Sequence, residues 1–229
     1  MLKILIALGG SDIKEEQLTD LLWPDAEGDI AHSALTTTLS RLRQLLGIEE
    51  AIKCKEGRIT LNSRYCWVDS WIFERLVSKA EAGLKRISET ESLKKGEDEK
   101  SAQAKEIITL TEKAINIYKG HFLAPDEGYF WATSYRERLR SKFLRHLSMF
   151  CKYLQQAGKC EKAVECYQKA LEVDDLTEDF YQNLMLCYQQ LDQKAEAIKV
   201  YQRCCKVFSA ILGIEPSSKT NAIYKELKH

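Results

Sequence analysis

AHSALTTTLSRLRQLLG, residues 31–47, separates its side chains cleanly when wound into a helix. With Leu35 set at zero and about 100° added per residue, Ala31, Leu39, Leu42 and Leu46 fall within about 40° of it. Ser33, Thr36, Thr37, Ser40 and Gln44 fall on the opposite side, flanked by Arg41 and Arg43. Gly47 is well placed to end the helix in a left-handed turn. The polar side has two readings. It is a solvated face, or a face whose hydroxyls and amide meet base edges and phosphates while Arg41 and Arg43 meet phosphates. Thr36, Thr37 and Thr38 in a row each cost a few tenths of a kcal/mol of helix propensity relative to alanine, roughly, which favours the second reading.

On the N-terminal side, Ile4, Leu5 and Leu8 give a short apolar helix ended by Gly9-Gly10. A second short helix follows, with Asp12 as its expected cap, Leu18, Leu21 and Leu22 turned inward, and Trp23-Pro24-Asp25 as its stop. On the C-terminal side, AIKCKEGRITLN (residues 51–62) is a β-hairpin around a Lys-Glu-Gly-Arg turn. Three helices and then a basic-tipped hairpin is the order of a winged helix-turn-helix, in which the third helix lies in the major groove and the hairpin touches the flanking backbone. Lys53, Lys55 and Arg58 are then candidate phosphate contacts, the alternative being an ordinary charged turn. Leu35, Leu39, Leu42 and Leu46, with Trp23 and either Trp67 or Trp71, are the expected core. His32 is read as a polar residue of the first helical turn, near a phosphate if DNA is bound.

From Val68 onward the pattern is helical, interrupted by the charged stretch ISETESLKKGEDEKSA (residues 87–102), which reads as an exposed loop. A repeat follows: Ala163, Tyr167 and Ala170 recur 34 residues later as Ala197, Tyr201 and Cys204, and Leu154 recurs as Tyr188. Small and aromatic residues at this period are a tetratricopeptide signature, since the small residue lets two helices approach and the aromatic fills the space between pairs. Ala114 and Tyr118 fit the same phrase less cleanly. Tyr167, Tyr188 and Tyr201 are therefore expected to pack between helices, with a concave partner-binding face as the alternative. Arg136, Arg138, Arg140, Lys142 and Arg145 make a basic stretch on a long helix, read as a solvated face in preference to a docking surface.

The 229 residues, 45% hydrophobic with 3 prolines, suit one or two folded domains. With 34 basic and 34 acidic residues the chain as a whole does not attract nucleic acid, so any such contact must be local. Residues 1–77 carry nine Lys/Arg against twelve Asp/Glu, yet residues 41–64 carry six against three. The short run MLKILIALGG suits neither a signal peptide nor a membrane span, so a cytoplasmic protein without membrane contact is expected. The 8 cysteines include no CxxC pair and read as buried thiols, with no metal site. No phosphate-cradling glycine loop, GxSxG or HExxH occurs, so neither an enzyme nor a bound cofactor is expected.

LTDLLWPDAEGDIAHSALTTTLSRLRQLLG (residues 18–47), the hairpin and VDSWIFERL (68–76) together resemble the winged helix of bacterial activators of the antibiotic-regulatory-protein (SARP) type, which is similar to the OmpR-like kind. IYKGHFL (117–123), YRERLRSKFLRHL (135–147), the LEVDD junction (171–175) and LGIEPSSKTNAIYKEL (212–227) resemble the bacterial transcriptional activator domain that follows it. The opening LKILIALGGSDIKEEQLTDLLWPDA (2–26) looks most like versions found near the C-terminus of MalT-like ATPase regulators. The sequence departs from the pattern in starting inside the first helix, without the usual N-terminal sheet, and in carrying Ser40 where an arginine often stands.

The resemblance implies a mainly α protein: a winged helix-turn-helix over 1–66, its N-terminal sheet missing, and a tetratricopeptide-like activator domain over 67–229. It implies a transcriptional regulator, or a fragment of one, that binds promoter DNA through Ser33, Thr36, Thr37, Ser40, Arg41, Arg43, Gln44, Lys53, Lys55 and Arg58. The helical repeats would meet RNA polymerase or another protein domain, and binding in tandem or as a homodimer would raise affinity through effective concentration. The alternative is an interaction scaffold whose winged helix no longer reads DNA.

Overall fold

The computed structural model describes residues 1–90, 97–123 and 129–228. It divides into two compact units, Met1–Arg75 with Ile117–Leu139, and Leu76–Asn116 with Arg140–His229.

In the first unit, α1 (Leu2–Ala7) is followed by β1 (Ile13–Lys14), α2 (Glu15–Leu22) and α3 (Gly28–Leu46). Strands β2 (Ile52–Lys55) and β3 (Arg58–Leu61) form the expected hairpin. Its turn residues Glu56 and Gly57 have φ of 52° and 68°, the left-handed pair that matches strand twist in a two-residue loop. The sheet is antiparallel in the order β1-β3-β2, with Ile13 opposite Ile59 and Ile52 opposite Leu61. Ile4, Leu5, Ile13, Leu18, Leu35, Leu39, Ile52, Ile59 and Leu61 form one core, against which Leu42, Leu46, Trp23, Trp71 and Trp131 pack. No strand precedes α1 among the described residues; the third strand comes instead from Ile13–Lys14, between the first two helices.

Asp12 does not cap α2. It sits at φ 57°, and Lys14 takes the capping position in extended conformation. Trp67 is 71% exposed, whereas Trp71, four residues on, packs against the core and donates its indole N–H to the Ile6 carbonyl at 3.3 Å. That ring lies across Gly10, whose φ of +72° and missing Cβ leave room for it. The unit also takes in residues 117–139, which the sequence assigns to the second domain: Tyr135 donates its hydroxyl to Ser70 at 2.9 Å and meets Phe122 edge-on.

Two long helices, α4 (Asp69–Thr90) and α6 (Phe130–Gln156), supply residues to both units, and α5 (Glu97–Ile117) precedes α6. Residues 87–90 and 97–102 of the expected loop are therefore helical, and 91–96 lie outside the described residues. Gly83 meets Ile107 closely, since a Cβ there would stand 2.7 Å from the isoleucine side chain. In the second unit α7 (Cys160–Val173) packs on α8 (Glu178–Gln190), α8 on α9 (Lys194–Val207), and α10 (Ser218–Leu227) on both α8 and α9. Ala163, Ala170, Ala197 and Cys204 are fully buried, as close helix approach requires. Tyr167 is fully buried, Tyr188 nearly so, and Tyr201 stacks on Tyr224 with ring centroids 3.8 Å apart. Tyr118 leaves the repeat phrase: it lies past the end of α5 and meets Phe73 in the first unit, while Ala114 stays buried in the second. Cys54 is exposed and Cys66 and Cys205 are half-buried, whereas Cys151, Cys160, Cys166, Cys187 and Cys204 are buried thiols.

The basic stretch on α6 is solvated only in part: the Arg138 and Arg145 side chains are 54% and 62% exposed, yet each of the five residues has a partner within the fold. In the first unit Arg138 pairs with Glu74, and Arg136 donates to the carbonyls of Phe122 and Leu123. In the second unit Lys142 donates to Ser78, Arg145 pairs with Glu81, and Arg140 pairs with Asp174.

Beside this row His146 is buried, its Nε2 3.0 Å from the Thr111 hydroxyl. Burial, then the charges of Arg145 and Lys142, bring its pKa down to about 4. An unfolded histidine titrates near 6.5, so between these values the unfolded chain binds a proton that the folded chain refuses. The resulting stability is complete above about pH 6.5 and falls as pH drops to about 4, by about 3 kcal/mol in all at 1.36 kcal/mol per pKa unit. Urea titrations at pH 7 and pH 5 followed by circular dichroism check this, and His146→Gln should flatten the difference.

Candidate nucleic-acid interface

Helix α3 begins three residues before the sequence suggests. Glu27 precedes it in extended conformation, Asp29 lies in the first turn where the helix dipole favours an acid, and Gly47 closes it at φ 69°. Ala31, Leu35 and Leu39 face the core, which turns Ser33, Thr36, Thr37, Ser40, Arg41 and Gln44 to solvent. The early start adds Ile30, which is 65% exposed, to that surface. Ile30, Ser33, Ala34, Thr37, Thr38 and Arg41, with Asp29, line one shallow depression along the helix.

Each threonine hydroxyl bonds back along the helix: Thr36 to the His32 carbonyl at 3.0 Å, Thr37 to Ser33 at 3.0 Å and Thr38 to Ala34 at 2.7 Å. The hydroxyl proton is thereby committed, which lets β-branched residues sit in the helix with their polar group satisfied. His32 stands 3.4 Å from Glu15, at the α2 side of the helix.

The cations separate into two groups. Arg43 donates through Nε and Nη2 to the Ile52 carbonyl at 3.2 and 3.1 Å, and through Nη2 to the Cys54 sulfur. It ties α3 to β2 and is half-buried. Arg58 pairs with the Asp12 carboxylate at 2.8 Å and holds the loop before β1 against β3. Lys55 stands 3.3 Å from the turn residue Glu56. Arg41 and Lys53 are exposed, with no hydrogen-bond or ion-pair partner among the described residues. Of the ten sequence-derived positions, the structure thus gathers Ser33, Thr36, Thr37, Ser40, Arg41 and Gln44 on one helix face and leaves Lys53 on the neighbouring hairpin.

Sequence reasoning missed Ile30, although its spacing of three, seven and eleven residues to Ser33, Thr37 and Arg41 was the available signal. It also missed the exposed pair Tyr65 and Trp67 and the exposed Leu45.

A winged helix followed by a stack of helix pairs defines the class. Residues 68–228 match the family model of the bacterial transcriptional activator domain, and the chain belongs to that family. Among solved structures the chain is similar to Mycobacterium tuberculosis EmbR in complex with a low affinity phosphopeptide, with TM-score 0.67 at 16% identity. That likeness covers 98% of this chain and 57% of EmbR, so the chain spans little more than half of EmbR's length, and it shows the fold alone. BtubC (BKLC) from P. vanneervenii aligns with 16% identity over 68% of this chain and 64% of its own, with TM-score 0.31. No curated protein sequence matches the chain. Among the described residues no helix is long and apolar enough to cross a membrane.

Proposed function

We propose that the chain works as a bacterial transcriptional regulator by setting α3 into the major groove of promoter DNA, with the β2–β3 hairpin against the adjoining backbone. The helical repeats then offer a surface to RNA polymerase or to another protein domain, so activation is by recruitment and not by catalysis. The observation that carries the reading is the solvent-facing row of hydroxyls, amide and unpaired guanidinium on α3, in a chain of the activator family. An α-helix fits the major groove, and these groups can bond both base edges and phosphates.

One observation favours the other reading, an interaction scaffold with a retired winged helix. Arg43 and Arg58 are engaged within the fold and Lys55 stands beside Glu56, which leaves few cations for phosphates. Affinity as a monomer is accordingly expected to be weak and strongly salt-dependent. The deciding experiment titrates the chain with random-sequence duplex across a salt series. Wild type should bind with a negative slope of log affinity against log salt, and Arg41→Ala with Lys53→Ala should reduce that slope by roughly 0.9 for each phosphate contact removed. Absence of binding at low salt would select the scaffold reading.

A further inference from the structure

We infer that α3 selects its site by contact with thymine methyl groups, through Ile30 and Thr37. The inference rests on the DNA-binding reading above and adds to it the feature of the base edge that is recognised.

Ile30, Ser33, Thr37, Arg41 and Gln44 follow one another along a single side of α3, over about 21 Å at 1.5 Å per residue. In the N-terminal half of this row the Ser33 hydroxyl is the free donor among the described residues. The Thr36 and Thr37 hydroxyls each have one proton, and it is bound to the carbonyl four residues back. Outward, these two side chains can offer a methyl and an acceptor lone pair but no donor. Ile30 is apolar and 65% exposed, and Ala34 and Thr37 continue the same depression. Such a surface is poorly matched to guanine, whose major-groove edge carries acceptors and asks for donors.

The apolar group that a base pair presents in the major groove is the thymine C5-methyl, beside an O4 acceptor and the adenine N6 amino donor. Ile30 and the Thr37 methyl suit the first, and the free lone pair on Thr37 suits the adenine amino group. Arg41, a helical turn further on, supplies the donors for a neighbouring guanine or phosphate. Hydrophobic contact thus covers one end of the recognition face and charge the other, so the preferred site should place thymine-containing steps against the N-terminal half of α3.

The test starts from the duplex that the full chain prefers out of a random pool. Each thymine is then replaced singly by deoxyuridine, which removes the methyl and leaves the pairing and charge unchanged. At one or two positions the wild-type chain should lose affinity about fourfold per methyl, as expected from burial of one methyl group. Ile30→Ala and Thr37→Ser should bind the thymine duplex more weakly and lose the discrimination at their own position. Thr37→Val, which keeps the methyl and removes the hydroxyl, should retain it. All three variants alter exposed side chains without changing charge, so the salt slope should stay that of wild type. Binding with the expected salt slope but equal affinity for thymine and deoxyuridine duplexes would overturn the inference and leave the DNA-binding reading intact. Discrimination that persists in both Ile30→Ala and Thr37→Ser would overturn it as well. A chain that binds no duplex at low salt would remove both.

Discussion

Tyr167→Ala is expected to destabilise the helical unit by about 3–5 kcal/mol, the range for loss of a large buried aromatic side chain. Tyr167 is fully buried between helix pairs, its ring 6.1 Å from that of Phe180 and its hydroxyl 3.0 Å from Gln155 Oε1. Truncation removes the ring that fills the space beside Ala163 and Ala170, and the fully buried backbones around it can collapse only in part. The phenol contributes separately. Tyr167→Phe keeps the ring and should cost about 1 kcal/mol, because Gln155 Oε1 loses its donor. Circular dichroism in urea reads both variants, since the second unit holds most of the helix. A cost below about 1 kcal/mol for Tyr167→Ala would mean that the repeat does not depend on its aromatic position.

Gly10→Ala should have a comparable effect on the winged helix. At φ +72° a residue with Cβ costs about 1–2 kcal/mol, and the new atom would stand 2.1 Å from the Trp71 ring. The indole is rigid, packs on the core and donates to the Ile6 carbonyl, so it cannot step aside without losing that bond. Overpacking of this kind adds about 1–3 kcal/mol, for a total of about 2–5 kcal/mol. The measurement is convenient because Trp23, Trp67, Trp71 and Trp131 all belong to the first unit, so tryptophan fluorescence follows its unfolding alone. Gly9→Ala is the control. Gly9 has a similar φ of +89° but open space around its Cβ position, so it should show the backbone cost without the clash. Equal losses for the two variants would place the whole effect in the backbone.

Much of this was legible in the chain. The 3.6-residue spacing of Leu35, Leu39, Leu42 and Leu46 gave both the helix and its inward face, and the Glu56-Gly57 turn gave the hairpin. The 34-residue recurrence of Ala163, Tyr167 and Ala170 gave the stacked helices. The stretch 87–102 misled because it has no apolar period, although its Glu, Lys and Ala residues favour helix and the whole of its described part adopts it. Trp67 and Trp71 could not be told apart because either is hydrophobic enough for the core; the position of Gly10 decides it.

By itself the sequence determined the three helices and the hairpin of the first unit, the repeated helices of the second and the solvent face of α3, since these depend on periodicity and on residues that are near one another in the chain. The fate of each cation was decided only by the tertiary structure. Arg43 finds Ile52 and Cys54 across a helix-to-strand packing, Arg58 finds Asp12 46 residues away, and Arg138 finds Glu74 64 residues away. A long, flexible charged side chain has no local periodicity that names its partner, and its charge stays unpaired only when folding has brought no carboxylate or carbonyl within reach. Among the described residues Arg41 and Lys53 have no such partner.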